Sequence, residues 1–482
     1  MPEPAAPPKP RAAQPWLTSE RIRHQALLLA IALWIGYALN MSAPGMRDRF
    51  WHLKGADFLH SYILGTLALD HRGEALYDPR IQRDIGDARV PESAGDYFLP
   101  VYGPQYSLLW MPFARLPYAW AAAIWIFLSA AIYAACCYAI WRTCPHLRPY
   151  GTTVALLAAA FPGFYELITF GQNSSLALAC FTGMYFALRA RREVLAGVCL
   201  GLLAYKPQLG LVPACLFLAT CLWRIDVGSD APVHQEPRRP GRLVRAAERT
   251  GVPDEPGVGS TGWSSSASIS PSSDNQSARA HSRQPWKVVF GAILAIAAQI
   301  VLVWLWYGSG PLFNYARVIT HLGSAARILE PKPYLMHSLR AFWDLLLPWP
   351  DVALALYIPT AIDAVVLAIV CWRRPIPLEH RFAIMLLATV LVAPHLTVYD
   401  LVILVPAFLW IAEAWIAKAR TADWLETRAI PATAISTIAW LLYLSYLLPF
   451  AGPLAQWTHL QLSVIIMAAL LVIFSEKAWQ ES

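Results

Sequence analysis

The sequence predicts an all-α, polytopic membrane protein, and three observations carry that expectation. Of its 482 residues 57% are hydrophobic and only 14% charged, against roughly 25% charged in an ordinary soluble domain. The apolar residues gather in long runs, and about 20 such residues make a helix that crosses a bilayer core of about 30 Å. The basic residues cluster in short runs beside those segments, where they set topology and meet lipid headgroups. A soluble fold of this size has too little interior for so much apolar side chain. The same composition excludes disorder, collagen and a disulfide scaffold. The 38 Lys+Arg against 31 Asp+Glu give a net charge of +7. Their placement makes membrane lipids, and no nucleic acid, the expected contact.

Residues 1–20 are Pro-rich and polar and read as a flexible cytoplasmic tail. Arg21 and Arg23 precede an apolar run to about Ala43, too long for a signal-peptide core, so an uncleaved first helix is expected. Further spans are expected near 118–141, 151–169, 173–190, 287–307, 352–373, 381–396, 398–418, 430–450 and 457–475. The stretch 194–223 is interrupted by Lys206-Pro207. Read as one helix, it would put the basic runs Arg373–Arg381 and Lys418–Arg428 outside. Read as two half-spans, 194–205 and 208–223, it keeps every basic run inside. The expectation is therefore about 12 membrane elements in two membrane regions, 21–223 and 287–476, with both termini inside and a short tail at 477–482. Segment 224–286, centred on "GWSSSASISPSSDNQS", reads as a disordered cytoplasmic linker. Outer loops are expected at 44–117 and 308–351.

The eight cysteines form no CxxC pair and none falls in either outer loop, so neither a disulfide nor a zinc site is expected. The first outer loop places Phe58, Tyr62 and Leu69 at helical spacing, which suggests a short helix on the membrane surface. Asp57 opens that helix, where a helix-capping role is the plain alternative to chemistry. "YFLPVYGPQYSLLWMPFARLP", with Tyr102, wraps the interface or lines a sugar pocket. Other polar residues fall at the outer ends of spans: Glu166, Gln172 and Asn173, then Lys206, His321 and His337, and "PHLTVYD" with His395, Tyr399 and Asp400. A lysine at a broken helix is costly in lipid unless it meets water or an anion. Asp363 and Glu413 lie within spans or at their inner ends.

These segments, in this order, resemble glycosyltransferase family 87, polyprenyl-phosphate-dependent mannosyltransferases. The resemblance is carried by Asp57 with "GEALYDP", the Tyr102 segment, "GQNSSLALACF", "LAGVCLGLLAYKPQLGLVP", "MHSLRAF" and "APHLTVYDLVILVPAFL". It extends over about 20–475 outside the linker, although Gly103 stands where many relatives carry proline. It implies a GT-C-type bundle with short interfacial helices in its outer loops and an active site at the extracytoplasmic face of a cell membrane, in bacteria the inner one. It also implies a polyprenyl-phosphate sugar donor, with mannose as the sugar, and a lipid or glycan acceptor. The family's proposed base falls on Asp57, and Lys206 matches the lysine of its Lys-Pro segment.

The expected chemistry is a one-step, inverting displacement. Asp57 takes the proton of an acceptor hydroxyl as it attacks the anomeric carbon. Lys206 and His337 meet the departing phosphate, while Tyr102, Gln172, Asn173, His395, Tyr399 and Asp400 bind substrate. No cofactor is expected and no metal, because no acidic cluster has ligand spacing. The rival class is a transporter or lipid flippase built on Asp363 and Lys206.

Overall fold

In the computed structural model of the chain, the described residues are 18–93, 101–227, 284–329, 332–422 and 432–480. Most of the expected N-terminal tail and linker, 1–17 and 228–283, and the last two residues of the expected C-terminal tail lie outside them. The described residues are helical without a strand; only two isolated bridges, Arg47–Leu53 and Met336–Thr397, pair extended backbone.

Helix α1, Ser19–Met41, starts where Thr18 accepts a hydrogen bond from the Arg21 N–H, a side-chain cap on an otherwise orphaned donor. The first connecting segment folds into α2 (Ala56–Leu69), α3 (Pro79–Arg89) and α4 (Pro104–Ala114). Asp78 of "GEALYDP" caps α3 by accepting from the Arg80 and Ile81 N–H groups, and Pro79 supplies the preset first helical residue.

Helix α2 does not lie on a membrane surface. Its residues from Phe58 to Ala68 are all buried, because α4 covers the face that the apolar spacing left polar. Gly65 is where the two meet: a Cβ there would come 2.6 Å from the Trp110 carbonyl oxygen. Phe58 packs among Trp110 and Phe113 of α4 and among Tyr118 and Trp125, which follow α4 in the chain.

The remaining helices follow the expected spans closely: α5 (Tyr118–Trp141), α6 (Gly151–Ala159), α7 (Pro162–Phe170), α8 (Ser174–Arg189), α9 (Glu193–Leu202) and α10 (Pro207–Val227). After the linker come α11 (Pro285–Tyr307), α12 (Gly310–Leu329), α13 (Leu339–Leu346), α14 (Pro350–Arg373) and α15 (Leu378–Val392). The chain ends with α16 (Val405–Ala422), α17 (Ala432–Leu447), α18 (Gly452–Thr458) and α19 (Leu462–Gln480). Six described helices are long and apolar enough to cross a membrane, and two bent pairs raise the number to eight. Length and apolarity therefore do not give twelve spans. One reason is that the expected span 151–169 is broken: Pro162 restarts the helix at 46° to the piece before it, since proline can neither donate a hydrogen bond nor continue the turn.

The break at Lys206 is present, with Lys206 in non-helical backbone (φ −127°, ψ 72°) between α9's short 3-10 extension and α10. Helices α9 and α11 pack backbone to backbone through small residues. Gly291 lies against the Val194 carbonyl, Gly197 against that of Val288 and Gly201 against that of Ala292. Gly197 meets Val288 and Ala292 and Gly201, one turn later, meets Ala292 and Ala295, so the two helices run parallel and start at the same end of the bundle. Helix α10 turns back toward that end, where Phe217 packs on Trp372, 5.3 Å between ring centroids.

That common end also gathers the basic turns. Arg189 meets Glu379 at 3.5 Å, and Tyr185 donates to the same carboxylate. Glu413 accepts from the His146 and Leu147 N–H groups and contacts the His146 ring at 2.7 Å. Asp57, Gln172, Lys206 and Asp400 lie at the opposite end.

Candidate functional site

Two left-handed glycines bring the site together. Gly55 (φ 69°) precedes α2 and Gly171 (φ 68°) follows α7, a backbone region that glycine enters without strain. They abut, and a Cβ on Gly171 would come 3.5 Å from the Gly55 Cα. Tyr118 donates to the Gly55 carbonyl at 2.8 Å and Trp125 to that of Gly171 at 2.9 Å. The start of α2 is thereby fixed against the end of α7.

Asp57 sits in the first turn of α2 but does not cap it. The cap position is Gly55, with no side-chain cap bond. The Asp57 carboxylate instead accepts a 2.7 Å hydrogen bond from the Gln172 amide. It keeps partial exposure, but protein surrounds it, and this enclosure pushes its pKa up to about 6. The Gln172 bond and the Lys206 charge oppose that rise, whereas the Asp400 charge adds to it.

A polar chain runs on from there. The Gln172 side-chain oxygen accepts from the Asn173 N–H at 3.2 Å. The Asn173 amide donates to the Tyr106 hydroxyl at 2.6 Å and to that of Tyr102 at 3.3 Å. Those two rings are stacked, 4.2 Å between centroids, and burial raises both phenol pKa values, so both stay protonated. Ser61 shares a 2.6 Å hydrogen bond with Tyr106, and Tyr205 donates to the Asn173 carbonyl.

Next along the chain, Lys206 Nζ donates to Asp400 Oδ1 at 2.7 Å and to Ser174 Oγ at 3.0 Å, while Ser174 itself donates to Asp400. Lys206 and Asp400 are 4% and 3% exposed. The other Asp400 oxygen accepts from Thr397, whose side chain caps the turn reciprocally. Lys206 Nζ also lies 5.5 Å from the centre of the Tyr399 ring.

The structure thus joins Asp57, Tyr102, Gln172, Asn173, Lys206, Tyr399 and Asp400. His395 lies on the same turn as Asp400, partly exposed. His337 is placed differently from its expected phosphate contact. It is fully buried, its ring is bonded to Ser463, and its backbone N–H donates to the Leu396 carbonyl. Burial pushes its pKa down to about 3, which keeps the ring neutral, and none of its side chain is open to a ligand. With the Met336–Thr397 bridge it straps the Asp400 turn to the preceding segment.

Ser61, Tyr106, Ser174, Tyr205 and Thr397 take part without having been singled out from sequence. Small hydroxyls beside better candidates carry no signal of burial. Asp363, the acid a transporter would use, is exposed on α14 between exposed Ile362 and Val366, away from the bundle interior. Glu413 anchors the turn at the basic end. His321 is exposed on α12 and bonds the Arg317 carbonyl. Among the described residues no group of three or more His, Cys, Asp or Glu is arranged to hold a metal ion.

Comparison with curated proteins and with solved structures found no match. The model of glycosyltransferase family 87 matches residues 99–227. That region supplies Tyr102, Tyr106, Gln172, Asn173, Ser174, Tyr205 and Lys206, the larger part of the polar network. Over these residues the chain is similar to glycosyltransferase family 87, which points to a membrane glycosyltransferase, and six to eight described helices are long and apolar enough to cross a membrane.

Proposed function

We propose that the protein transfers a sugar, mannose, from a polyprenyl-phosphate donor to a hydroxyl of a lipid or glycan acceptor, with inversion, in a GT-C-type bundle. The observation that carries this reading is the Gln172–Asp57 hydrogen bond. It ties an enclosed, ligand-accessible carboxylate to the buried polar chain ending in Lys206. A carboxylate with a pKa of about 6 is a stronger base than a free aspartate and still ionised at neutral pH.

As the acceptor oxygen attacks the anomeric carbon, its proton passes to Asp57. The bond from that carbon to the phosphate oxygen breaks, and its electron pair leaves on the phosphate. Lys206 has three N–H donors, two of them occupied by Ser174 and Asp400, and the third serves the departing phosphate. Tyr102, Asn173, His395 and Tyr399 surround the sugar. His337 serves the phosphate indirectly, by holding the Asp400 turn.

Transfer from radiolabelled polyprenyl-phosphate mannose by purified protein tests the reading, and no transfer to any lipid or glycan acceptor would overturn it. In the same assay kcat/KM should fall as pH drops through about 6, because protonated Asp57 cannot act as base. A flat profile between pH 5 and 8 would remove Asp57 from that role.

The site belongs to the extracytoplasmic face because the opposite end carries Arg189, Arg373 and their basic neighbours. A cysteine introduced at Ala88, exposed on α3, should react with a membrane-impermeant maleimide in intact cells. One at Ala190, exposed beside Arg189, should react only after the membrane is opened. The reverse pattern would invert the protein.

A further inference from the structure

A large cavity lies at the end of the bundle opposite Asp57, and sugar transfer gives it no task. Its volume is about 530 Å³, within the range of about 300–1,000 Å³ usual for ligand sites. Its walls come from α16, α19, the start of α15, the turn between α5 and α6, and Ile438 of α17. Both long helices run toward the basic end. Glu413 of α16 meets His146 in the α5–α6 turn, and Trp479 near the end of α19 lies beside the Arg374 guanidinium, 5.1 Å from ring centre to Cζ.

The lining changes character along that direction. On α16, Trp410, Ile411 and Ala414 come first and Lys418 follows, about 12 Å beyond Trp410 at 1.5 Å per residue. On α19, Phe474 precedes Lys477, and the His380 ring packs on Phe474 with 5.2 Å between centroids. Apolar side chains are deep, and the lysines are near the rim. Two carboxylates share the cavity, and both are engaged. Glu413 holds the His146 ring and two backbone N–H groups, and Glu379 holds Tyr185 and Arg189. With Glu379 cancelled by Arg189, Lys418 and Lys477 outweigh Glu413.

One buried donor on the wall has no acceptor. Trp415 Nε1 bonds nothing among the described residues, whereas Trp410 Nε1 donates to Thr143 Oγ1 at 3.2 Å. The indole nitrogen can only donate, and buried polar groups are rarely left unpaired. Trp415 stands three residues before Lys418, so the two share a helix face with the indole one turn deeper. Trp415 also walls a second cavity of about 440 Å³ with a mainly apolar lining.

A cation at the rim, an N–H donor beneath it and apolar walls below match an amphiphile with an anionic head. Glycerophospholipids have this order, with ester carbonyls just beneath the phosphate and hydrocarbon beneath those. Basic cavities between membrane helices on the cytoplasmic side hold anionic headgroups in this way. We propose that the cavity binds one anionic glycerophospholipid from the leaflet at the basic end. Its phosphate meets Lys418 and Lys477, an ester carbonyl accepts from the Trp415 indole, and an acyl chain lies along Trp410, Ile411 and Phe474.

Native mass spectrometry of the full-length protein in detergent tests this. The probes are dioctanoyl phosphatidylglycerol, dioctanoyl phosphatidylcholine and inorganic phosphate. Wild type should bind one phosphatidylglycerol about 10-fold more tightly than phosphatidylcholine, and inorganic phosphate should not displace it. Lys418→Gln with Lys477→Gln should weaken phosphatidylglycerol binding by about 10-fold or more, the worth of charge-assisted contacts, while phosphatidylcholine binding persists. Lys418→Arg with Lys477→Arg should keep the preference. Trp415→Phe keeps an aromatic ring, loses the N–H and should weaken both lipids alike. Lys287→Gln, at the same end but on α11, should change nothing. Equal affinity of wild type for the two lipids, undiminished phosphatidylglycerol binding in the Gln pair or in Trp415→Phe, or an equal loss in Lys287→Gln would overturn the proposal. Displacement by inorganic phosphate would make this a site for soluble anions and overturn the lipid.

Discussion

Replacing Asp57 by Asn should lower sugar transfer by at least ~10², the usual contribution of a general base, while expression and donor binding stay near normal. Asparagine keeps the shape, and its side-chain oxygen still accepts the Gln172 bond, so the polar chain survives. A capping role would make the change mild, but α2 is capped at Gly55 and Asp57 caps nothing. What the amide loses is the capacity to take up a proton. Asp57→Glu should recover little, because one added methylene moves the carboxylate by about 1 Å, enough to spoil positioning. Steady-state transfer and donor binding decide the matter together. Near-wild-type transfer by Asp57→Asn would remove the base from this position and turn attention to Glu166 and Asp400.

The second large effect is at Lys206. Lys206→Met leaves the Asp400 carboxylate buried with its cation gone, a loss that costs about 3–5 kcal/mol when one member of a buried pair is removed. The single variant should therefore unfold at lower temperature in detergent, and its inactivity alone would say nothing about phosphate. Lys206→Met combined with Asp400→Asn removes both charges, and the asparagine oxygen can still accept from Ser174. The double variant should regain most of the stability while donor affinity stays down by about 10–150-fold, the worth of a charge-assisted contact. Wild-type donor affinity in the stable double variant would leave Lys206 as a purely structural residue.

Much of this site was legible because a membrane chain advertises its polar residues. Asp57, Gln172, Lys206 and Asp400 stand out against apolar neighbours, and Pro207 marks the helix break without any need of structure. The role of His337 was not legible. A histidine in an outer loop reads as a ligand contact, and only packing shows it sealed against Ser463 and Leu396. Helix α2 misled for a related reason. The apolar spacing of Phe58, Tyr62 and Leu69 describes one apolar face, but α4, which packs on both Phe58 and Gly65, comes from a Pro-rich stretch whose helical form local sequence conceals. The bend within 151–169 was not legible either, because apolar composition continues smoothly through the break that Pro162 imposes.

The Lys206–Asp400 pair also has a schedule. The two residues are 194 positions apart, with 228–283 between them, so a ribosome working at about 5–20 residues per second delivers the carboxylate about 10–40 s after the ammonium. Throughout that interval the N-terminal membrane region carries a cation meant for burial, which is an expensive occupant of hydrocarbon. Premature termination anywhere before residue 400 makes the condition permanent. The ion pair is thus a certificate of completed synthesis, and a truncated chain presents the cell's membrane proteases with an uncancelled charge that the finished protein never shows.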